Sequence, residues 1–266
     1  MFLLQGTLAL ILSAPTPSDG RGEPNVSDLQ PRLDESVQDG ATGSEWSWVI
    51  APYVWMFGQD GDVALKGQQA DVDVGFDDLL ENLDFAFQGH VEAWRGDWGI
   101  LLDGLYGKLS VEGSAGPVDV DVGVEQWLFE LGAIRRVHER SLDGERELCV
   151  DLLAGARYTQ VDPELDVAGA TPKVDKEEGW LDPFIGLRSQ LDLTSRLDLS
   201  VRGDVGGFDI GNASDFTWNA SVLLQWACAD HWTLALGYRA LDQDFDHGSF
   251  EYDVLTSGPI VGLVYR

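Results

Sequence analysis

The chain has 266 residues, with 46 Asp or Glu against 17 Lys or Arg and a formal net charge of −29. That balance argues against nucleic acid as a partner, because phosphate binding needs a cationic patch, and it equally disfavours adhesion to an anionic leaflet through a basic face. Two cysteines are too few for a disulfide framework, and 31 Gly with 10 Trp, 11 Phe and 6 Tyr is a composition suited to a barrel, where glycine relieves crowding and aromatics form interfacial girdles.

Residues 1–14, MFLLQGTLALILSA, form a short apolar run ending in small side chains, the pattern of a signal peptide's hydrophobic region, although no Lys or Arg precedes it and Pro15 follows the obvious cleavage point. Residues 15–45 are rich in Pro, Ser, Gly and acidic side chains and read as a disordered acidic tether. Beyond them no run of eighteen uncharged apolar residues occurs, so no transmembrane helix is expected.

From residue 46 to residue 266 the pattern is period-two alternation. Strands are predicted at about 47–58, 84–95, 97–111, 118–137, 147–160, 180–193, 196–209, 215–228, 231–244 and 250–266. Between 59 and 83 the segment FDDLLENL places Phe76, Leu79, Leu80 and Leu83 at helical spacing. That predicts a short helix in the first long loop, which either packs on the rim or plugs the mouth. The next stretch alternates strictly. Phe85, Phe87, Val91 and Ala93 share one face, and Gln88, His90 and Glu92 the other. After a turn at Arg95-Gly96-Asp97, Trp98, Ile100, Leu102 and Tyr106 oppose Asp103.

Later strands repeat the scheme. The polar phase carries Glu130, Asp151 and Arg157, Asp182 and Arg188, Arg202 and Asp204, then Arg239. The opposite phase is apolar, as in Trp127-Phe129-Leu131 and Leu234-Leu236-Tyr238. Short connections near Gly96, 139–145, Thr194-Ser195 and Ala229-Asp230 alternate with longer ones, and an even strand number puts both termini on the short-turn side. The expectation is an all-β chain: a transmembrane antiparallel up-and-down β-barrel of about ten strands, with eight to twelve compatible. Its apolar face meets lipid, and a network of His90, Glu92, Asp103, Glu130, Asp151, Arg157, Asp182, Arg188, Arg202, Asp204 and Arg239 lines the lumen. Alternation places Cys149 inward and Cys228 outward, three strands apart, which argues against a bridge between them.

Three stretches carry a resemblance. SWVIAPYVWMFG at 47–58, VDVGFDDLLENLDFAFQGHVEAWRGDWGILLDGLYGKLS at 72–110 and GPIVGLVYR at the end together resemble a family of bacterial outer-membrane β-barrel proteins of poorly defined function. The shared features are a Pro-Tyr-x-Trp first strand, a Phe-x-x-Leu-x-x-x-Leu segment before the second, a Glu-x-x-x-Gly-x-Trp-Gly hairpin and a Gly-Pro-x-x-Gly-Leu ending. The resemblance implies an outer-membrane address, with outer-membrane lipid and the barrel-insertion machinery as partners, and no particular chemistry. Such barrels usually end in an aromatic residue; here Val261, Leu263 and Tyr265 alternate correctly and Arg266 follows.

Candidates for chemistry are few. Asp242, Asp244, Asp246 and Asp253 in DQDFDHGSFEYD have the spacing of oxygen ligands for a cation, but His247 stands where a calcium loop places Gly. His247 with acidic neighbours and Ser249 would serve an omptin-like protease, yet the Asp-x-His pairing of that group is missing. His90 and Glu92 could pair as in ester hydrolysis, without a recognisable nucleophile beside them. The sequence therefore points to a non-enzymatic scaffold or a narrow, passive, cation-preferring channel that needs no cofactor. An outer-membrane protease or lipid hydrolase at the extracellular rim is the first alternative, and a soluble ligand-binding barrel the second. Oligomeric state is left open.

Overall fold

The structure, a computed structural model, describes residues 45–65, 68–81, 83–115, 118–143, 146–167, 174–175 and 177–266. The proposed signal and nearly all of the tether lie outside them. The elements are β1 (Ser47–Trp55), β2 (Gly58–Leu65), β3 (Gln68–Val74), α1 (Phe76–Glu81), β4 (Leu83–Arg95), β5 (Trp98–Ala115), β6 (Val118–Ser141), β7 (Glu147–Val167), β8 (Val174–Asp175), β9 (Glu178–Thr194), β10 (Leu197–Gly207), β11 (Phe216–Ala229), β12 (Trp232–His247) and β13 (Phe250–Tyr265).

Ten of these strands form a closed antiparallel barrel in the order β1-β4-β5-β6-β7-β9-β10-β11-β12-β13. It closes because β1 pairs with β4 on one side and with β13 on the other. No edge is left between them, which satisfies every strand in a setting without water. The β1–β4 ladder runs as far as Pro52↔Gly89. Pro52 has no N–H to give. Past it, the Gln88 side chain takes over, accepting from the Trp55 amide at 2.5 Å and donating to the Trp55 carbonyl at 3.4 Å.

Two-residue turns join β4 to β5 at Gly96-Asp97, β9 to β10 at Ser195-Arg196 and β11 to β12 at Asp230-His231. Gly96 has φ of +59°, the left-handed conformation that such tight hairpins require and that glycine adopts without cost. The same end of the barrel holds the start of β1 and the end of β13. At the other end the strands run long, and β2 and β3 extend the wall from β13. This hairpin was not foreseen. The alternation of Val with Asp in GDV at 61–63 and DVDV at 71–74 continues a strand rather than a loop, and Gly61 lets β2 lie close to β13: a Cβ there would meet the Asp253 carbonyl oxygen at 2.0 Å. Helix α1 is present but short, and it ends at Glu81; Leu83 opens β4. Strand β10 stops at Gly207, short of the expected end, because Phe208 and Asp209 take positive φ.

Candidate functional site: the charged lumen and its short-turn vestibule

Alternation decides which side chains enter the barrel. On β12, Thr233, Ala235, Arg239, Leu241, Gln243 and Phe245 are buried, while Leu236 and Tyr238 are exposed. On β6, Glu130 and Ile134 are fully buried, while Phe129 and Leu131 stand out. The outward surface is an apolar belt: Ile100, Leu102, Leu131, Leu152, Leu181, Leu187, Val222, Leu236 and Leu263 are among its exposed members. At about 3.4 Å per residue and a tilt near 40°, the outward run from Trp232 to Ala240 climbs about 20 Å, close to the apolar band of an outer-membrane barrel.

Aromatics edge the belt on both sides. Trp46, Trp48, Trp98, Trp226, Trp232 and Tyr265 stand exposed near the short-turn end, with the Arg135 guanidinium 4.5 Å over the Trp98 ring. Towards the other end, Phe85, Tyr106, Trp127 and Phe129 form a row of neighbouring rings with centroids 4.2–6.0 Å apart. A buried interior that is charged and an exposed exterior that is apolar invert the order of a water-soluble barrel. The architecture is that of a bacterial outer-membrane β-barrel.

Inside, strand register gathers the charged residues. His90, Asp103, Glu130, Arg157 and Asp182 lie directly opposite one another on consecutive strands from β4 to β9. Asp151, Arg188, Arg202, Ser221 and Arg239 make a second row from β7 to β12. Glu130 is the hub. Its Oε1 accepts from Arg157 Nε at 3.0 Å and Arg239 Nη2 at 2.6 Å, and its Oε2 accepts from Arg202 Nη2 at 2.8 Å. Asp204 accepts from Arg157 at 2.7 Å, Arg202 at 2.9 Å and Asn219 at 2.8 Å. Asp103 accepts from Tyr53 at 2.9 Å and Arg239 at 3.3 Å.

His90 joins this hub to a second one. Its Nδ1 lies 3.0 Å from Asp103 and its Nε2 2.9 Å from Glu92. Both ring nitrogens face carboxylates, so both donate and the ring is an imidazolium. Glu92 also accepts from Trp94 Nε1 at 2.7 Å and pairs with Arg188. Arg188 reaches Asp151 at 2.9 Å, and Asp151 accepts from Arg136 at 3.1 Å. Asp182 stands slightly apart, held by the Ser214 amide at 2.7 Å and hydroxyl at 3.0 Å. With Asp182 counted, Glu92, Asp103, Glu130, Asp151, Asp182 and Asp204 balance Arg136, Arg157, Arg188, Arg202, Arg239 and the His90 imidazolium.

The network is wedged between rings. Arg157 and Arg202 lie 5.4 and 5.5 Å from the Phe184 centroid, and Arg239 lies 4.8 Å from that of Trp55. Apolar inward clusters complete the filling. Leu101, Ile134, Leu153 and Phe184 pack beside the network. Trp55, Leu105, Leu128, Leu241 and Ile260 form another cluster, and Trp180, Phe245, Phe250, Tyr252 and Val254 fill the long-loop half. Trp180 stacks on Phe245 at 4.4 Å with planes 10° apart. Sequence reading missed these clusters. The available signal was adjacent apolar pairs, Leu101-Leu102 and Leu152-Leu153, in which one member must face inward. Tyr53, Trp94 and Arg136 were also missed, although each shares the inward phase of its strand.

Space remains at the short-turn end. A cavity of about 470 Å³ opens there, bounded by Ser47, Gly96, Glu147, Asp192, Asp198 and Arg266 at its mouth, Val49, Leu153, Gln190, Ser200, Leu223 and Val264 on its walls, and His90, Glu92, Arg188, Arg202 and Arg239 towards its floor. Cys149 lines it, Cys228 is exposed, and both are free thiols.

At the other end the acidic candidates point outward. Asp244 pairs with Asp253, Asp253 with Asp62, and Asp62 with Asp71, a ladder of carboxylates across β12, β13, β2 and β3. Asp242 and Asp246 occupy the same face of β12. Among the described residues no group of three or more His, Cys, Asp or Glu could hold a metal ion. Burial, then Asp253, Asp215 and Asp246, push the Asp244 carboxyl above its ordinary range. His247 and Ser249 are exposed at the β12–β13 turn, and His247 has no ion pair among the described residues. The Phe76 side chain is half-buried; those of Leu79, Leu80 and Leu83 lie outside the described set.

Solved outer-membrane proteins are similar in fold. The outer-membrane protease OmpT of Escherichia coli is 9% identical, covers 84% of this chain and 97% of its own, and has a TM-score of 0.47. The translocator domain of the autotransporter NalP of Neisseria meningitidis is 13% identical over 90% of this chain and 95% of its own, with a TM-score of 0.35. The attachment invasion locus protein Ail of Yersinia pestis is 13% identical over 83% and 97%, with a TM-score of 0.34. No family model matches the chain, and no curated protein matches it.

Proposed function

We propose that the chain resides in the bacterial outer membrane as a sealed, non-enzymatic scaffold, with its short turns in the periplasm and its acidic long-loop end outside. The observation that carries this reading is the state of the lumen. Glu130, Asp151, Arg157 and Asp204 are buried and ion-paired within the network, Asp182 is buried on Ser214, and apolar clusters fill the barrel on the long-loop side of them. A passing ion would have to displace paired, desolvated charges and then cross packed aromatic rings, whereas selective pores offer rings of charge or carbonyls to replace an ion's water. The apolar belt addresses lipid, and β13, with Val261, Leu263 and Tyr265 facing outward, is the strand offered to the insertion machinery.

Planar-bilayer recording of the purified, folded protein tests this. The expected result is a flat trace without unitary steps up to the voltage at which the bilayer itself fails. Reproducible steps with cation preference would restore the narrow-channel reading and overturn the scaffold. Fractionation with heat-modifiable gel mobility tests the address: recovery in the soluble fraction would exclude the outer membrane.

A further inference from the structure

The vestibule is not a featureless hollow below the seal. The most exposed members of the network are cations. Side-chain exposure is 21% for His90, 12% for Arg202 and 11% for Arg188, against 7% for Asp103, 6% for Glu92 and 0% for Glu130, Asp151 and Asp204. Arg202 spends Nε and Nη2 on Asp204 and Glu130, and no acceptor meets its Nη1 among the described residues. Every nitrogen of Arg188 is engaged with Asp151 or Glu92. The floor therefore offers one guanidinium, that of Arg202, with hydrogen-bonding capacity to spare.

The mouth has the opposite sign. Asp192 and Asp198 lie directly across from each other on β9 and β10, and Glu147 joins them at the rim. Facing carboxylates are unfavourable unless a cation sits between them. Among the described residues lining the cavity, Arg266 donates to Gln225 at 2.7 Å and Arg136 to Asp151 at 3.1 Å. Between floor and mouth the walls are mixed: Val49 and Leu223 are apolar, and Gln190, Ser200 and Ser221 are polar. The separation follows from the strands. Asp198 and Arg202 are four residues apart on β10, and Asp192 and Arg188 four apart on β9, about 13 Å at the rise of an extended strand.

From this layout we infer that the vestibule is a binding site for a zwitterionic oligopeptide of three or four residues, its terminal carboxylate on Arg202 and its terminal ammonium between Asp192 and Asp198. An extended chain of that length spans about 10–14 Å, and the cavity lies within the usual size of small-ligand sites. Charge placed at both ends rejects peptides that lack either charged terminus, while the mixed walls leave room for small side chains. The inference rests on the sealed lumen, because only a closed floor makes the vestibule a cup.

Calorimetry on the detergent-folded full chain tests it with three probes: tetra-alanine, N-acetyl-tetra-alanine and tetra-alanine amide. The expected result is binding of tetra-alanine, weakened tenfold or more by blocking either end. In the double variant Asp192→Asn, Asp198→Asn, which keeps an acceptor for the Glu147 amide, tetra-alanine weakens at least tenfold while the N-acetyl peptide is unchanged. Heat-modifiable mobility confirms that the variant is folded. Equal affinity for all three probes, no heat with any of them, or equal losses for both peptides in the variant would each overturn the site. Conductance is a separate readout, so failure of the seal and failure of the site are distinguishable.

Discussion

Glu130 shows how little a single strand says about a buried charge. From β6 alone it is one acid in an apolar run. In the barrel its carboxylate is wholly buried and holds guanidiniums from β7, β10 and β12, which reach it from 27, 72 and 109 positions away in sequence. Removing one member of a buried ion network leaves the others charged, desolvated and facing one another. Glu130→Gln should therefore cost about 3–5 kcal/mol, measured by urea titration of the folded fraction on gels. A loss below about 1 kcal/mol would mean that water reaches the hub. The inward phase of these residues was legible, because alternation fixes the face. Their partners were not, because register and strand tilt decide which rows meet, and neither is written locally. His90 is a clear instance: its pairing with Glu92 is visible at a spacing of two, but its second partner, Asp103, comes from across the ladder.

Among the elements, the β2–β3 hairpin is the least anticipated and carries the least favourable electrostatics. Its Asp62 faces Asp253, which faces Asp244, and like charges directly opposed weaken a sheet. Asp244 has a folded-state pKa raised above its unfolded value, so the folded chain binds the proton more tightly, and stability is gained as pH falls through the raised value. Asp244→Asn should consequently slow limited proteolysis of the 60–75 region at pH 7. That advantage should fade at acidic pH, as the native carboxyl takes up its proton at the raised value. An advantage of equal size at neutral and acidic pH would trace the effect to packing. A second test lies at Gly61. A side chain there would run into the β13 backbone, so Gly61→Ala should release the hairpin to proteolysis and leave heat-modifiable mobility of the barrel unchanged. The sequence concealed this element because the long connection between two good strands reads as loop, and because the Phe76–Leu83 helical spacing drew attention to the rim. The helix exists, but it gives way to β4 before its last expected member.

At the scale of the whole molecule two apolar surfaces compete for the same description. On the reading proposed above, the outer belt meets lipid and the inner clusters seal the lumen. Both are built from Leu, Phe and Trp, and adjacent residues divide between them: Leu101 is buried inside while Leu102 is exposed outside, and Leu153 and Leu152 divide likewise. An arginine placed on each face separates the two roles. At Leu236, in the outward belt, it must enter hydrocarbon, at a cost of about 2–4 kcal/mol near the midplane. At Leu241, on the same strand but turned inward between Trp55, Leu128 and Ile260, it meets no hydrocarbon. There it overfills a packed layer and brings an unpaired charge beside Arg239. Leu236→Arg should therefore lower the yield of folding into bilayers far more than into short-chain detergent, where the belt is fluid and water is near. Leu241→Arg should lower both equally, because its surroundings are protein in either medium. If Leu236→Arg proved as harmful in detergent as in bilayers, the outer belt would be packed against protein and not lipid, and the barrel would work as a subunit of a larger assembly.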